Sequence, residues 1–119
     1  MKENITATKA VNFAIKIIEL YKTLVEEKRE YVMSKQLLRS GTSIGALIRE
    51  AEHAESKPDF LHKMNIALKE ANETCYWLFL LYKGDYITES IFNQYNNDSL
   101  ELVKLLASIV KTTKANLNK

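Results

Sequence analysis

The sequence predicts an all-α fold: an antiparallel, up-down-up-down four-helix bundle in which residues 1–119 form a single domain. Three observations predict it. Four segments carry apolar residues at the three- and four-residue spacing that puts them on one helical face. Only three Gly and one Pro interrupt 119 residues, too few for the turns of a strand-rich fold. Short polar stretches with helix-cap residues separate the four segments, and short connections make neighbouring helices antiparallel.

The first helix is predicted from about Thr6 to Glu27. Ala7, Val11, Ala14, Ile18, Tyr21 and Val25 form one stripe, and Ala10, Phe13, Ile17, Leu20 and Leu24 form a second beside it. The second helix is expected after Ser34, a cap residue, and runs to about Ala54 with Leu37, Gly41, Ile44, Ile48 and Ala51 inward. The third opens at Ser56-Lys57-Pro58-Asp59, which combines a cap, a first-turn proline and an acid three residues after the Ser. Its core face is Phe60, Met64, Ala67, Ala71, Thr74 and Leu78, and Gly84 is expected to supply a left-handed residue after Lys83. The fourth opens at Thr88, with Ile87 and Phe92 placed for a hydrophobic staple. Tyr95, Leu102, Leu106, Ile109 and Val110 carry its inward face to about Asn116.

Composition narrows the function classes. A net charge of +2, from 17 basic and 15 acidic residues, is far from the excess of a typical nucleic-acid binder, so charge distribution matters more than the total. One cysteine, Cys75, rules out an internal disulfide framework and fits a reducing compartment. Residues Met1 to Thr8 lack the apolar core of a signal peptide. The longest apolar run, Tyr76 to Tyr82, is far short of the roughly 20 residues that span a bilayer. A cytoplasmic protein without membrane contact is expected.

That apolar run is informative in another way. Ile66, Trp77 and Leu80 lie nearly opposite the core face of the third helix, and a helix apolar all round must be covered all round. A bundle covers only the inward side, so a subunit interface through Ile66, Trp77 and Leu80 is expected; the alternative is that they cover loops or helix ends of the same chain. Gly41 and Gly45 stand one turn apart inside a helix, at about 1 kcal/mol each relative to Ala. Close approach of another helix explains them, and both join the expected oligomer interface. A phosphate loop does not fit, because no Lys-Ser/Thr follows and no strand precedes.

The segment Leu38-Arg39-Ser40-Gly41-Thr42-Ser43-Ile44-Gly45-Ala46, followed by Glu50-Ala51, resembles the second helix of a family of bacterial four-helix bundle proteins. Some of these are encoded by intervening sequences within 23S ribosomal RNA genes. Asp59-Phe60, Ile66-Ala67-Leu68-Lys69-Glu70-Ala71 and Glu73-Thr74-Cys75-Tyr76-Trp77-Leu78 are similar to the family's third helix. The resemblance spans nearly the whole chain in helix order. Leu47 departs from it, standing where the family usually has Asn. The resemblance implies a bundle that assembles as a ring, typically a homopentamer; it does not imply a catalytic activity. A related group, the accessory variability proteins of diversity-generating retroelements, forms similar barrels that bind nucleic acid and are more basic than this chain.

No catalytic constellation, metal ligand set or cofactor is expected. Glu50-x-x-His53 and Asp59-x-x-His62 echo the Glu-x-x-His motif of di-iron bundles. They flank one loop, however, and no inward Glu of the first or fourth helix completes a set. Cys75 has no positioned His and reads as a structural thiol. Glu70 and Glu73 read as surface charges, with pairing to Arg39 or Arg49 as the alternative.

Two function classes remain: an oligomer associated with RNA or an RNA-processing protein, and a protein-binding scaffold without nucleic-acid contact. The fourth helix favours the first. After Glu101 it carries no acid, while Lys104, Lys111, Lys114 and Lys119 follow. Lys104 and Lys111 share a heptad position and Lys114 lies one turn on, which makes a candidate nucleic-acid stripe. The structural alternative is that these lysines complement the helix dipole.

Overall fold

The computed structural model describes residues 2–118, so Lys119 lies outside the described residues. Four helices follow one another: α1 (Lys2–Glu26), α2 (Met33–Glu52), α3 (Lys57–Lys83) and α4 (Glu89–Leu117). No strand occurs among the described residues. Each helix packs against its sequence neighbours and α4 closes back on α1, while among the described residues the backbones of the diagonal pairs stay apart. The α2–α3 and α3–α4 seams are the most extensive, and α1–α4 is the most open. Contacts across the seams run in opposite residue order, as with Ser40–Thr74 and Glu50–Lys63, which makes neighbours antiparallel. The bundle measures 51 × 21 × 21 Å.

The core is the set of inward stripes. In α1, the stripe Ala10, Phe13, Ile17, Leu20 and Leu24 is buried. The companion stripe is left at the margin, with Val11 and Ile18 exposed. All five expected inward residues of α2 are buried, as are the five of α4. In α3, Met64, Ala67, Ala71, Thr74 and Leu78 are buried; Phe60 of α3 and Leu47 of α2 pack half-buried against the core. Among the described residues no buried side-chain N or O lacks a partner. The Thr74 and Ser40 hydroxyls pair at 2.9 Å across the α2–α3 seam. Ser99 Oγ donates to the Ala71 carbonyl at 3.1 Å between α4 and α3.

Two helix ends match the sequence reading. Ser56 caps α3, its Oγ accepting from the Asp59 N–H at 3.1 Å, and Thr88 caps α4 through the Ile91 N–H at 3.2 Å. Two others correct it. Ser34 does not cap α2; it lies inside the helix, fully buried. Glu30 caps α2 instead. Its carboxylate accepts from the N–H groups of Val32 (3.1 Å), Met33 (2.9 Å) and Ser34 (2.6 Å), and Ser34 Oγ donates to the Glu30 carbonyl at 2.7 Å. Nor is Gly84 left-handed, at φ −84°; Asp85 takes that conformation at φ 65°. With Asp85 there, Tyr86 N–H bonds Leu81 O (2.9 Å) and Asp85 N–H bonds Tyr82 O (3.0 Å), the paired bonds of a Schellman ending. The one-residue displacement puts the half-buried Tyr86, rather than Asp85, at the position that carries the apolar contact of that motif.

Candidate interaction surfaces

The lysine stripe occupies the outer face of the C-terminal half of α4. Lys104, Lys111 and Lys114 are all exposed, and none forms an ion pair among the described residues. From Lys104 to Lys114 the helix rises roughly 15 Å. The last nearby acid, Glu101, turns away to Lys9 of α1 at 3.3 Å, and Asp98 similarly pairs with Lys16 at 3.1 Å. These two bridges fasten the open α1–α4 seam, and beyond Glu101 α4 itself carries no acid.

The third helix presents an aromatic outer face. Its most exposed large residues are Tyr76 and Phe79, at 55% and 45%, rather than the half-buried Ile66, Trp77 and Leu80 singled out by the sequence. Trp77 packs against the core, and its indole Nε1 donates to Glu73 Oε2 at 2.9 Å. Tyr76 meets its ring edge-on at 5.2 Å. Phe79 is steadied by Phe92 of α4 at 6.4 Å and by Lys83, whose ammonium sits 5.7 Å from the Phe79 ring centre. Arg39 of α2 bridges Glu70, at 3.1 Å, and Glu73, so the two acids of α3 are paired inside the chain. Tyr76 and Phe79 were hidden in the sequence by the all-apolar run around them; they lie on the side of α3 facing away from Met64 and Leu78.

The two α2 glycines have different surroundings. A Cβ on Gly41 would stand 2.9 Å from Ile17 Cγ1, so the close approach that explains this glycine is made by α1 of the same chain. Gly41 is buried, which places it inside the bundle rather than on a face that a second copy could touch. Gly45 has ordinary space, with Ala10 atoms at 3.7 Å. It lines an open groove of about 390 Å³ whose apolar wall is Val11, Ala14, Ile15 and Ala46. A second recess, of about 500 Å³, opens between the end of α1 and the start of α4, floored by Leu20, Ile87, Ile91 and Tyr95.

The polar residues that suggested chemistry are held in structural pairs. Glu50 accepts from Lys63 Nζ at 3.1 Å, and Asp59 Oδ2 accepts from the Glu55 N–H at 3.2 Å. His53 is the exposed C-terminal cap residue of α2. No group of three His, Cys, Asp or Glu among the described residues is arranged to hold a metal ion. Cys75 Sγ donates to Ser99 Oγ at 3.2 Å; burial pushes the thiol up, and the Ser99 bond offsets this only in part. No helix among the described residues is long and apolar enough to cross a membrane.

Residues 2–108 match the profile of a family described as 23S rRNA-intervening sequence protein, so Lys111 and Lys114 lie beyond the matched segment. The chain is also similar to a protein of unknown function from the S23 ribosomal protein family of Bacteroides thetaiotaomicron. That crystal structure has 60% sequence identity and a TM-score of 0.92, covering 93% of this chain and 99% of the other. No curated protein matches the chain.

Proposed function

This chain belongs to the 23S rRNA-intervening sequence protein family, and from that premise we propose that it is a non-enzymatic homopentameric bundle that attaches to RNA through the lysine stripe of α4. The observation that carries the RNA contact is the run Lys104, Lys111, Lys114: exposed, unpaired among the described residues, and clear of acids beyond Glu101. Ring assembly is supported by the exposed apolar residues Val11, Ile15, Ile18, Tyr76 and Phe79, which a lone bundle leaves in water. Trp77 meets Tyr76 edge-on and Gly45 lines the groove walled by Val11 and Ile15, and the number five rests on the family resemblance. The non-enzymatic reading is supported by the structural partners of Glu30, Glu50, Asp59, Glu70, Glu73 and Cys75. A lone thiol suits a reducing, cytoplasmic setting.

In a ring each stripe is repeated around the axis, and five chains at +2 each sum to +10. About three lysines per site displacing counterions from single-stranded RNA give a log-log salt slope near −2. Raising salt from about 50 to 200 mM then weakens binding roughly 20-fold. Little sequence preference is expected, because phosphate contacts position a protein without reading bases. The test is RNA binding across a salt series for wild type and for a Lys104/Lys111/Lys114→Glu variant, with size exclusion and light scattering on both. Wild type is expected at five times 13.7 kDa. If the variant binds as well as wild type, the stripe is refuted. Absence of binding at about 50 mM salt favours instead a protein-binding scaffold that uses the Tyr76–Phe79 face.

A further inference from the structure

Two features lie at one end of the bundle. The first is the α1–α2 turn. Tyr31 and Val32 are 57% and 75% exposed, yet the neighbouring Glu30 is only 6% exposed. The turn is firmly built: Arg29 takes φ 54°, and the Glu30 carboxylate holds three successive N–H groups from Val32 to Ser34. Two apolar side chains are therefore presented to water on a braced turn rather than on a loose loop. The second feature is the recess of about 500 Å³ floored by Leu20, Ile87, Ile91 and Tyr95.

Charge and position match the two. Arg29 and Lys35 flank the Tyr31–Val32 knob, and neither forms an ion pair among the described residues. Glu19 and Asp85 stand on the rim of the recess with Lys28, and they too are free of ion pairs among the described residues. The knob follows the last turn of α1, and the recess is made from the last turns of α1 and the first of α4. Both therefore lie at the same end of the bundle. Rotation about a ring axis moves each residue to an equal height, so bundles standing side by side can insert a knob into a neighbour's recess only when the two are level.

We propose that Tyr31 and Val32 of one copy insert into the Leu20–Ile87–Ile91–Tyr95 recess of the next copy, with Arg29 and Lys35 facing Glu19 and Asp85. The contact is head-to-tail, joining one patch to a different patch, as a closed ring requires. It rests on the homo-oligomer reading above and identifies a lock for it.

The experiment compares wild type, Val32→Asp and Tyr31→Ser by light scattering over a dilution series. Both side chains are exposed in the single chain, so helix content is expected to be unchanged. Each variant removes one apolar side chain from every contact, and Val32→Asp also sets an acid opposite Glu19 and Asp85; each is expected to weaken association at least about tenfold. In a Cys75→Ser background, chains carrying Val32→Cys are also mixed with chains carrying Ile91→Cys and oxidised. A covalent dimer containing one chain of each kind is expected, and it can form only between copies. Wild type that assembles, with variants dissociating no more readily and no mixed dimer, overturns the knob while leaving the ring intact. A dimer of two Val32→Cys chains overturns it equally, by placing knob against knob. Monomeric wild type removes the ring reading and the knob together.

Discussion

Replacing Glu30 by Gln tests the α2 cap, and the structure sets the size of the effect. The carboxylate accepts from Val32, Met33 and Ser34 at 3.1, 2.9 and 2.6 Å. Gln keeps the shape, and its amide oxygen can still serve Val32 and Met33. Its NH2 group, however, would face the Ser34 N–H, donor against donor, where Ser34 is fully buried. A hydrogen bond to a charged group contributes about 1.5–3 kcal/mol, and losing a helix cap costs about 0.5–2 kcal/mol. Glu30→Gln is therefore expected to cost about 2 kcal/mol, and Glu30→Ala, which loses all three acceptor contacts, about 3 kcal/mol. At roughly 4 °C per kcal/mol for a chain of this size, the Gln variant melts about 8 °C lower.

The same cap predicts a pH dependence. Burial alone would raise the pKa of the Glu30 carboxyl, but the N–H groups of Met33, Ser34 and Val32 and the Ser34 side chain outweigh it, so the pKa lies below its ordinary value. The charged form is thus favoured by folding. Its contribution is complete above the unfolded value, about 4.3, and is lost as pH falls through the lower folded value. Urea titrations of wild type and Glu30→Gln at fixed protein concentration, at pH 7, 5, 4 and 3, check this. The gap should hold between pH 7 and 5 and close toward pH 3. A gap below about 0.5 kcal/mol at pH 7, or one that does not change with pH, would refute the capping argument.

Gly41→Ala and Gly45→Ala should move stability in opposite directions. At Gly41 the new Cβ meets Ile17 at 2.9 Å inside the core, and overpacking of about 1–3 kcal/mol outweighs the gain of about 1 kcal/mol in helix propensity. At Gly45 the nearest atoms are at 3.7 Å, so the propensity gain prevails; chemical denaturation ranks the three proteins, and a stabilised Gly41→Ala would contradict the packing. Tyr95→Phe removes the hydroxyl that donates to the Lys16 carbonyl at 3.0 Å across the α1–α4 seam, at a cost of about 1 kcal/mol by urea denaturation. Unchanged stability would mean that this seam is held by Lys9–Glu101 and Lys16–Asp98 without it.

What the amino-acid order determined by itself was whatever depends on neighbours within one turn. The helical period, the inward residues of α2 and α4, and the Ser56 and Thr88 caps were all legible, because each involves side chains or N–H groups three or four positions apart. The lysines beyond Glu101 were legible for the same reason. Their freedom from ion pairs was not, since it depends on Glu101 reaching Lys9 from the other end of the chain.

Packing between helices selected one of the two apolar stripes of α1. Both satisfy helical periodicity, and the positions of α2 and α4 send Ala10, Phe13 and Ile17 inward while Val11 and Ile18 stay in water. It also turned Gly41 toward Ile17, and it paired Arg39 with Glu70 and Glu73 more than thirty residues away. Glu30 could not be read as a cap from its position, because its carboxylate reaches three N–H groups only after Arg29 turns left-handed. Periodicity specifies which faces are apolar, whereas the way four rigid helices share one core specifies which of those faces is left for a partner.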